Sequence, residues 1–187
     1  EFAVRSLGEN HGEKFIIQYI EPLAPNRKAV GLDIASEPIR KSAAMLAMQT
    51  GEMAITAPIQ LVQAGKPEAG FLILLPYYLR PLEGVEYGSK KDREDLLVGW
   101  VYAPVLMTQL VAGLSDLLGQ RIDFEIYSGT TVKQSALIYD DDGHVGKTGQ
   151  VSVAQRSHSR QVNIEVGGQV WTVVLSSNES FTKELEI

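Results

Sequence analysis

The fold of this chain is indicated most clearly by residues 29–51, whose sequence is AVGLDIASEPIRKSAAMLAMQTG. Residues 29–34 are mostly apolar and predict an extended segment. A helix is predicted to follow, with Ser36 as its N-cap and Pro38 in the first turn, where a proline is tolerated. Gly51 supplies the left-handed residue that commonly ends a helix. This part of the chain therefore predicts an extended segment that leads directly into a helix.

Further strands are predicted on both sides of this helix. Residues 15–20 have the pattern of a strand before it, and residues 54–63 contain short strands after it. Residues 71–78 are almost wholly apolar, which is typical of a central strand covered on both faces. The charged, non-periodic residues 80–95 predict an exposed loop.

The second half of the chain repeats this order of elements. Residues 99–102 predict a strand, and Pro104 is expected in the first turn of a helix whose apolar stripe ends at Gly119. Apolar and polar side chains alternate in residues 122–127, which predicts a half-buried strand. An antiparallel meander is then expected from residues 136–139, 161–166 and 170–175, with turns at Asp142-Gly143 and Gly167-Gly168.

Each half thus has a strand, a helix and then several strands. Strands gathered around one helix predict an α+β fold rather than the alternating βαβ order of a doubly wound nucleotide-binding sheet. A chain of 187 residues is long enough for two small domains. We predict that these domains are residues 1–103 and residues 104–187.

Composition excludes several classes of function. The chain has a net charge of −6 and no cysteine. An acidic chain with no basic block argues against nucleic acid or an anionic membrane surface as the main partner. The absence of cysteine removes thiol nucleophiles, cysteine zinc sites and disulfides. No apolar run approaches the roughly 18–20 residues that a membrane-spanning helix needs.

Motifs for catalysis or metal binding are incomplete. Gly146-Lys147-Thr148 lacks the upstream glycine of a phosphate-binding loop, and residues 140–143 lack the closing glutamate of a calcium loop. No Gly-x-Ser-x-Gly motif is present to expose a nucleophile. The histidines have no metal-binding spacing and are expected to be exposed; they are His11, His144 and His158. The sequence therefore favours a protein that is not an enzyme and has no metal and no cofactor.

Asp33 is unusual because it is an acidic residue within an apolar stretch. A buried carboxylate needs hydrogen-bond or ionic partners. In one interpretation Asp33 caps the amides that follow it or pairs with Arg40. In the other it faces an apolar cavity and accepts hydrogen bonds from a ligand.

A resemblance to a known family depends on the order of several short motifs. These are Tyr19-Ile20-Glu21-Pro22, Gly31-Leu32-Asp33, Arg40, Gln49-Thr50-Gly51, Ile55-Thr56-Ala57-Pro58, Pro76-Tyr77-Tyr78 and Gly99-Trp100-Val101. Over residues 19–101 the chain resembles the CHASE sensory domain. This resemblance implies two tandem PAS-like modules outside the cytoplasmic membrane, with most of the N-terminal stalk helix absent from this chain.

The resemblance also implies a binding site in the first, membrane-distal module. The family's pocket aspartate matches Asp33, and the residue whose main chain contacts the ligand matches Ile55. Leu74 stands where plant cytokinin receptors have a threonine, which makes the pocket more apolar. We therefore expect a small, flat, partly apolar ligand, such as a purine or other heterocycle, between Ile55 and the strand that holds Phe71 and Leu74.

The remaining implications concern the whole receptor. The second module is expected to relay the signal towards the membrane, which the protein would reach only through flanking segments. The family implies a homodimer with a cytoplasmic output domain, of the histidine kinase or diguanylate cyclase type. The alternative interpretation is a structural or dimerising ectodomain that binds no ligand.

Overall fold

The computed structural model describes residues 3–61, 69–79, 89–114, 117, 122–145, 158–177 and 181. The chain forms two compact units, Glu1–Pro104 and Val105–Ile187. Each unit contains a four-stranded sheet with antiparallel pairing and a few short helices, which confirms the predicted α+β fold class. No helix among these described residues is long and apolar enough to cross a membrane.

The first unit is organised around one long strand, β5. In chain order the elements are β1 (Arg5–Ser6), α1 (Leu23–Asn26), β2 (Leu32–Asp33), α2 (Pro38–Thr50), β3 (Ala54–Ile55), β4 (Ile59–Gln60), β5 (Ala69–Tyr78), α3 (Lys90–Leu96) and β6 (Leu97–Leu106). Both β3 and β4 pair antiparallel with β5 along one of its edges. The strand β6 also pairs with β5, and its last residues enter the second unit. The strands β1 and β2 form a separate parallel pair.

Helix α2 forms where the sequence predicts it. Its N-cap is Glu37, whose carboxylate accepts hydrogen bonds from the main-chain N–H of Ile39 and Arg40. The prediction of Ser36 as the N-cap is therefore wrong by one residue. Gly51 has φ 78° and ends the helix, as predicted. Three alanines on the buried face allow the helix to pack closely against β5.

Two predictions for the first unit need correction. Residues 15–20 do not form a regular strand, because their ladder is limited to an isolated bridge between Ile16 and Asp33. Residues 90–96, predicted as part of a loop, form helix α3, since Ser89 and Asp92 make a complete capping box. The helix has no apolar stripe, so hydrophobic periodicity did not indicate it. Residues 80–88 of the predicted loop lie outside the described residues.

The second unit has a four-stranded sheet with the order β8-β7-β10-β9. Its elements are α4 (Met107–Val111), β7 (Ile122–Ser128), β8 (Leu137–Asp140), β9 (Ser159–Val166) and β10 (Gln169–Ser177). The predicted turn at Gly167-Gly168 is confirmed, and φ values of 52° and 79° explain why both residues are glycine. The predicted meander order is wrong, because β8 and β9 lie at opposite edges of the sheet. Asp142-Gly143 therefore does not close a hairpin.

Two further predictions for this half also fail. Pro104 lies within β6 and not in a helix. A strand can contain a proline because the residue lacks only one main-chain N–H donor. The helix begins at Met107, and Gly119 lies outside the described residues. In β7 the polar residues Asp123 and Glu125 are as buried as their apolar neighbours, so the strand is covered on both faces.

Candidate ligand-binding site

The first unit contains a cavity of about 430 Å³. Its lining comes from residues 14–19, Ile34, Leu74, Tyr77 and residues 98–102. A volume of several hundred Å³ with mainly apolar and aromatic walls is typical of small-molecule sites. The cavity thus has the size of a small-molecule site, and its accessible lining combines apolar and aromatic side chains with a nearly equal share of polar surface.

One wall of this cavity is the extended segment of residues 14–19. The segment runs beside β2, where the N–H of Ile17 donates to the carbonyl of Leu32 at 3.0 Å. The N–H of Ile34 donates to the carbonyl of Phe15 at 2.9 Å. These bonds hold the segment in place although it forms no regular strand.

The opposite wall is the first half of β6. Trp100 lies in this strand, and its ring centroid is 4.6 Å from that of Phe15. The indole N–H of Trp100 donates to the carbonyl of Ala44 in α2 at 2.9 Å. The hydrogen bond sets the orientation of the indole, and the ring contact joins the two walls at one end of the cavity.

Asp33 is completely buried and is bonded to the protein itself. Its Oδ1 accepts from the N–H groups of Phe15 at 2.9 Å and Ala35 at 3.0 Å, and its Oδ2 accepts from the Asn10 side chain at 2.8 Å. The capping interpretation therefore describes one of its contacts. Arg40 is not its partner: this guanidinium donates to the carbonyl of Gln60 and lies 3.5 Å from Glu37. Burial lowers the pKa of Arg40, and the nearby Glu37 carboxylate raises it by a smaller amount.

The structure separates the four residues predicted to bind ligand. Leu74 is fully buried and lines the cavity. Asp33, Ile55 and Phe71 are buried too, but they are not among the described residues that line this cavity. Leu74 and Ile55 occupy paired strands, since Ala54 faces Leu74 and Ile55 faces Ile73. Asp33 lies one residue before Ile34, which does line the cavity.

Tyr102 is a cavity residue that sequence reasoning missed. Its hydroxyl group is buried and has no hydrogen-bond partner among the described residues. Burial raises the pKa of Tyr102 to about 12, so the hydroxyl stays protonated at neutral pH and can donate a hydrogen bond. The sequence contains no signal for this role, because the pattern around Tyr102 is the same as around any tyrosine in a half-buried strand.

A second cluster of polar side chains lies in the second unit around His144. This histidine is only 6% exposed, so the prediction that it is solvent-exposed is wrong. Its Nδ1 lies 2.6 Å from a carboxylate oxygen of Asp142, and 3.5–3.6 Å from one oxygen of each of the other three acids. Those three acids are Asp123, Glu125 and Asp140.

Local hydrogen bonds form this cluster. Asp140, at the end of β8, accepts from the N–H groups of Gly143 and Val145 at 2.8 Å each. The resulting tight loop places His144 beside β7, which contributes Asp123 and Glu125. Burial, together with the nearby carboxylates, raises the pKa of Tyr127 to about 12.

The cluster contains atoms of the kinds that bind divalent cations. Ligand atoms within 4.8 Å of one another occur in two overlapping groups, Asp123-Glu125-His144 and Asp140-Asp142-His144. His144 contacts all four acidic side chains within 3.6 Å. These five residues form a histidine–carboxylate network.

A family comparison identifies the type of domain. The model of the CHASE domain matches residues 1–139. The chain belongs to the CHASE domain family. It is accordingly a non-catalytic sensory domain from the extracytoplasmic part of a membrane receptor. No curated protein sequence matches the chain.

Two solved structures are similar to this CHASE domain. The periplasmic sensory domain of the Campylobacter jejuni chemoreceptor Tlp1 is 10% identical, with a TM-score of 0.45; the match covers 81% of this chain and 58% of that structure. The ligand-binding domain of the Pseudomonas aeruginosa PAO1 amino acid chemoreceptor PctC, in complex with GABA, is 15% identical, with a TM-score of 0.38. Here the match covers 78% of this chain and 62% of that structure. The chain therefore spans about three fifths of the length of either structure.

Proposed function

We propose that the first unit of this CHASE domain senses a small, partly apolar molecule in the cavity between residues 14–19 and β6. The observation that carries this proposal is the cavity itself, which Tyr102 helps to line. The hydroxyl of Tyr102 is buried and has no hydrogen-bond partner among the described residues. Leaving a buried polar group unsatisfied costs roughly 1–3 kcal/mol. A ligand that offers an acceptor to this hydroxyl recovers that free energy, so the binding of such a ligand is favoured.

The lining supports a flat ligand such as a purine or another heterocycle. Phe15, Leu74 and Trp100 provide apolar and aromatic surface on which a ring can stack. Tyr77 lies at the rim and is 61% exposed, which makes it available to cover a bound ring. The identity of the ligand is left to the experiment below.

The predicted role of Asp33 as a direct acceptor for ligand hydrogens stays a prediction. Two of its three bonds are to main-chain N–H groups, and one of these belongs to the cavity residue Phe15. Asn10 is the only one of the three donors on a side chain, so a ligand would reach the carboxylate by replacing Asn10. Without such a replacement, Asp33 acts by positioning the cavity wall.

Signal transmission is proposed to run through β6. The strand lines the cavity with residues 98–102 and ends at Leu106, beyond the boundary between the units. In this proposal residues 1–103 are the membrane-distal sensory module and residues 104–187 are the membrane-proximal relay. We further propose that the full receptor is a homodimer whose cytoplasmic output domain is a histidine kinase or a diguanylate cyclase.

Calorimetry and thermal shift with adenine and a panel of uncharged heterocycles test the binding. A ligand is expected to raise the melting temperature, and Tyr102→Phe is expected to weaken its binding about five- to tenfold, which corresponds to one hydrogen bond of about 1 kcal/mol. Tyr19→Phe is the matched control, because Tyr19 lines the same cavity but is 87% exposed. Equal losses in the two variants, or no ligand from the panel, would count against the proposal.

A structural ectodomain without a ligand is the second candidate, and the bonding of Asp33 favours it. A carboxylate whose three contacts are all to the protein needs no ligand. In that case Tyr102→Phe is expected to stabilise the domain slightly, and no member of the panel should bind at millimolar concentration. The same calorimetric series therefore separates the two candidates.

A further inference from the structure

The extended segment of residues 14–18 has two edges, and the part of the protein that the structure describes bonds to only one of them. Main-chain groups of Phe15 and Ile17 bond to residues of the β2 region. Ile16 lies between them and forms a bridge with Asp33 in which neither residue bonds directly to the other. In an antiparallel pair of this kind, successive residues direct their N–H and C=O groups to opposite edges. Those of Ile16 therefore point away from β2.

No hydrogen bond joins the main-chain N–H or C=O of Ile16 to any other described residue. Ile16 lines the cavity and is partly buried. The main-chain donor and acceptor of this partly buried residue have no partners among the described residues and form a preformed pairing site. The main-chain N–H and C=O of Gln18 lie on the same edge, but Gln18 is exposed, so water can bond to these groups.

The opposite wall leaves the space beside Ile16 open. The strand β6 pairs with β5 along one edge, whereas β3 and β4 take the other edge of β5. The outer edge of β6 thus borders the cavity, across from the free edge of the segment. The cavity of about 430 Å³ is a gap between two strand edges, and the Phe15–Trp100 ring contact is part of its lining.

We infer that the ligand of this cavity carries an N–H donor next to a hydrogen-bond acceptor and pairs with the main-chain N–H and C=O of Ile16. Amides, lactams and amino-substituted nitrogen heterocycles have such an edge, whereas simple hydrocarbons, ethers and unsubstituted azines do not. The inference rests on the proposed function and narrows the chemical class of its ligand.

The partial burial of Ile16 makes this pairing selective. A site built to hydrogen-bond a ligand rejects an analogue that lacks the matching group, because its own buried polar groups are then left unpaired. A ring without the N–H donor still fills the space and contacts Leu74, but it leaves the carbonyl of Ile16 without a partner. The ratio of the affinities of two rings of equal size therefore measures the contribution of the Ile16 main chain. The affinity of either ring alone measures the contribution of the whole cavity.

9-Methyladenine and 9-methylpurine provide the matched probes for this inference. They share the same ring system without a ring N–H, and only 9-methyladenine carries an N–H donor, its exocyclic amino group, beside an acceptor ring nitrogen. We expect calorimetry to show at least tenfold tighter binding of 9-methyladenine. Equal affinities would overturn the inference while leaving the cavity as a binding site. If neither probe binds, uncharged benzamide and N,N-dimethylbenzamide repeat the comparison, and failure of all four contradicts the proposed function itself.

Ile16→Pro tests the main-chain donor directly, with Ile16→Ala as the control. Proline removes the N–H of residue 16, which makes no bond within the described part of the protein, and it is tolerated at an unpaired edge. Ile16→Ala retains that N–H and removes similar side-chain contacts. We expect Ile16→Pro to bind 9-methyladenine at least tenfold more weakly than Ile16→Ala and to bind 9-methylpurine about equally. Similar 9-methyladenine affinities in two variants that melt within a few degrees of each other would refute the pairing.

Discussion

The two units of this CHASE domain bury acidic side chains in different ways. In the first unit, Asp33 is held by two main-chain N–H groups and one amide side chain. In the second unit, four carboxylates share contacts with one imidazole, that of His144. The first arrangement fixes the course of the backbone around a cavity, whereas the second joins two strands and a loop through charged groups.

This difference indicates a division of tasks. Asp33 fixes the backbone beside the cavity without lining it, so the cavity can take a partly apolar guest. The histidine–carboxylate network of the second unit instead depends on its members, because removing one partner leaves buried polar groups unsatisfied. We therefore expect the first unit to respond to ligands and the second to depend strongly on the integrity of its network.

Asp33→Ala should have the largest effect on stability. The substitution leaves the buried N–H groups of Phe15 and Ala35 without their acceptor, and each such loss costs roughly 1–3 kcal/mol. We expect the free energy of unfolding to fall by about 4 kcal/mol in total. Urea unfolding, with hydrogen exchange followed on peptides of residues 10–17, measures the effect and its location.

The control for this change is Asp95→Ala in the same unit. Asp95 is exposed and pairs only with Lys91 along helix α3, at 2.8 Å. Surface pairs of this kind contribute well under about 1 kcal/mol. If Asp33→Ala unfolds at the same urea concentration as this control, the main-chain bonds do not hold the segment as described.

His144→Ala should have the next largest effect, confined to the second unit. The change removes the group that lies within 3.6 Å of four carboxylates. The change leaves a cavity and takes away a polar partner of the neighbouring carboxylates, so we expect a loss of about 3 kcal/mol. Hydrogen exchange should increase in β7 and β8 and remain unchanged in α2.

His158→Ala is the matched histidine control, because the His158 side chain is exposed and contacts the ring of Phe181, while its main-chain bonds to Ser177 are retained in the variant. Its stability should stay within about 0.5 kcal/mol of the wild type. Comparable losses in the two histidine variants would show that the buried network adds nothing specific to the stability of the second unit.

Alkaline pH should produce the smallest of the three effects. The folded-state pKa of Tyr127 is about 12, above the ordinary value of 10.0, because burial and nearby carboxylates disfavour the phenolate. A group whose pKa is raised by folding stabilises the protein fully below the unfolded pKa and loses that contribution as the pH rises through the folded pKa. Between pH 10 and 12 the second unit should therefore lose about 2 kcal/mol.

Urea unfolding at pH 8, 10 and 12 measures this loss, with Tyr127→Phe as the reference that cannot ionise. The variant is expected to be less sensitive to alkali than the wild type. Burial also raises the pKa of Tyr102 in the first unit to about 12, so that unit is expected to lose stability over the same pH range. Identical alkaline profiles for the wild type and Tyr127→Phe would contradict the assigned environment.

Local signals in the sequence were sufficient for much of the fold. Helix α2, its end at Gly51, the apolar strand β5 and the hairpin turn at Gly167-Gly168 all follow from propensity, capping and turn chemistry within a few residues. Helix α3 could have been predicted too, since Ser89 and Asp92 form a capping box that is visible in the sequence.

The candidate site was less accessible from the sequence. Leu74 was predicted as a site residue and lines the cavity, but Tyr102 and the main-chain edge of Ile16 were not predicted. The burial of His144 was missed because its acidic neighbours come from two strands and a loop that are separated by up to 21 positions. No pattern of spacing within one element signals such a cluster.

The sequence by itself determined the α+β class, the main helix and the family, because periodicity, caps and motif order are local properties of the chain. Only the tertiary structure decided which polar groups found partners. Asp33 is satisfied and the Tyr102 hydroxyl is not, yet both are polar residues in apolar stretches of sequence. Their difference depends on which distant atoms lie within hydrogen-bond distance, and that depends on how the strands pack.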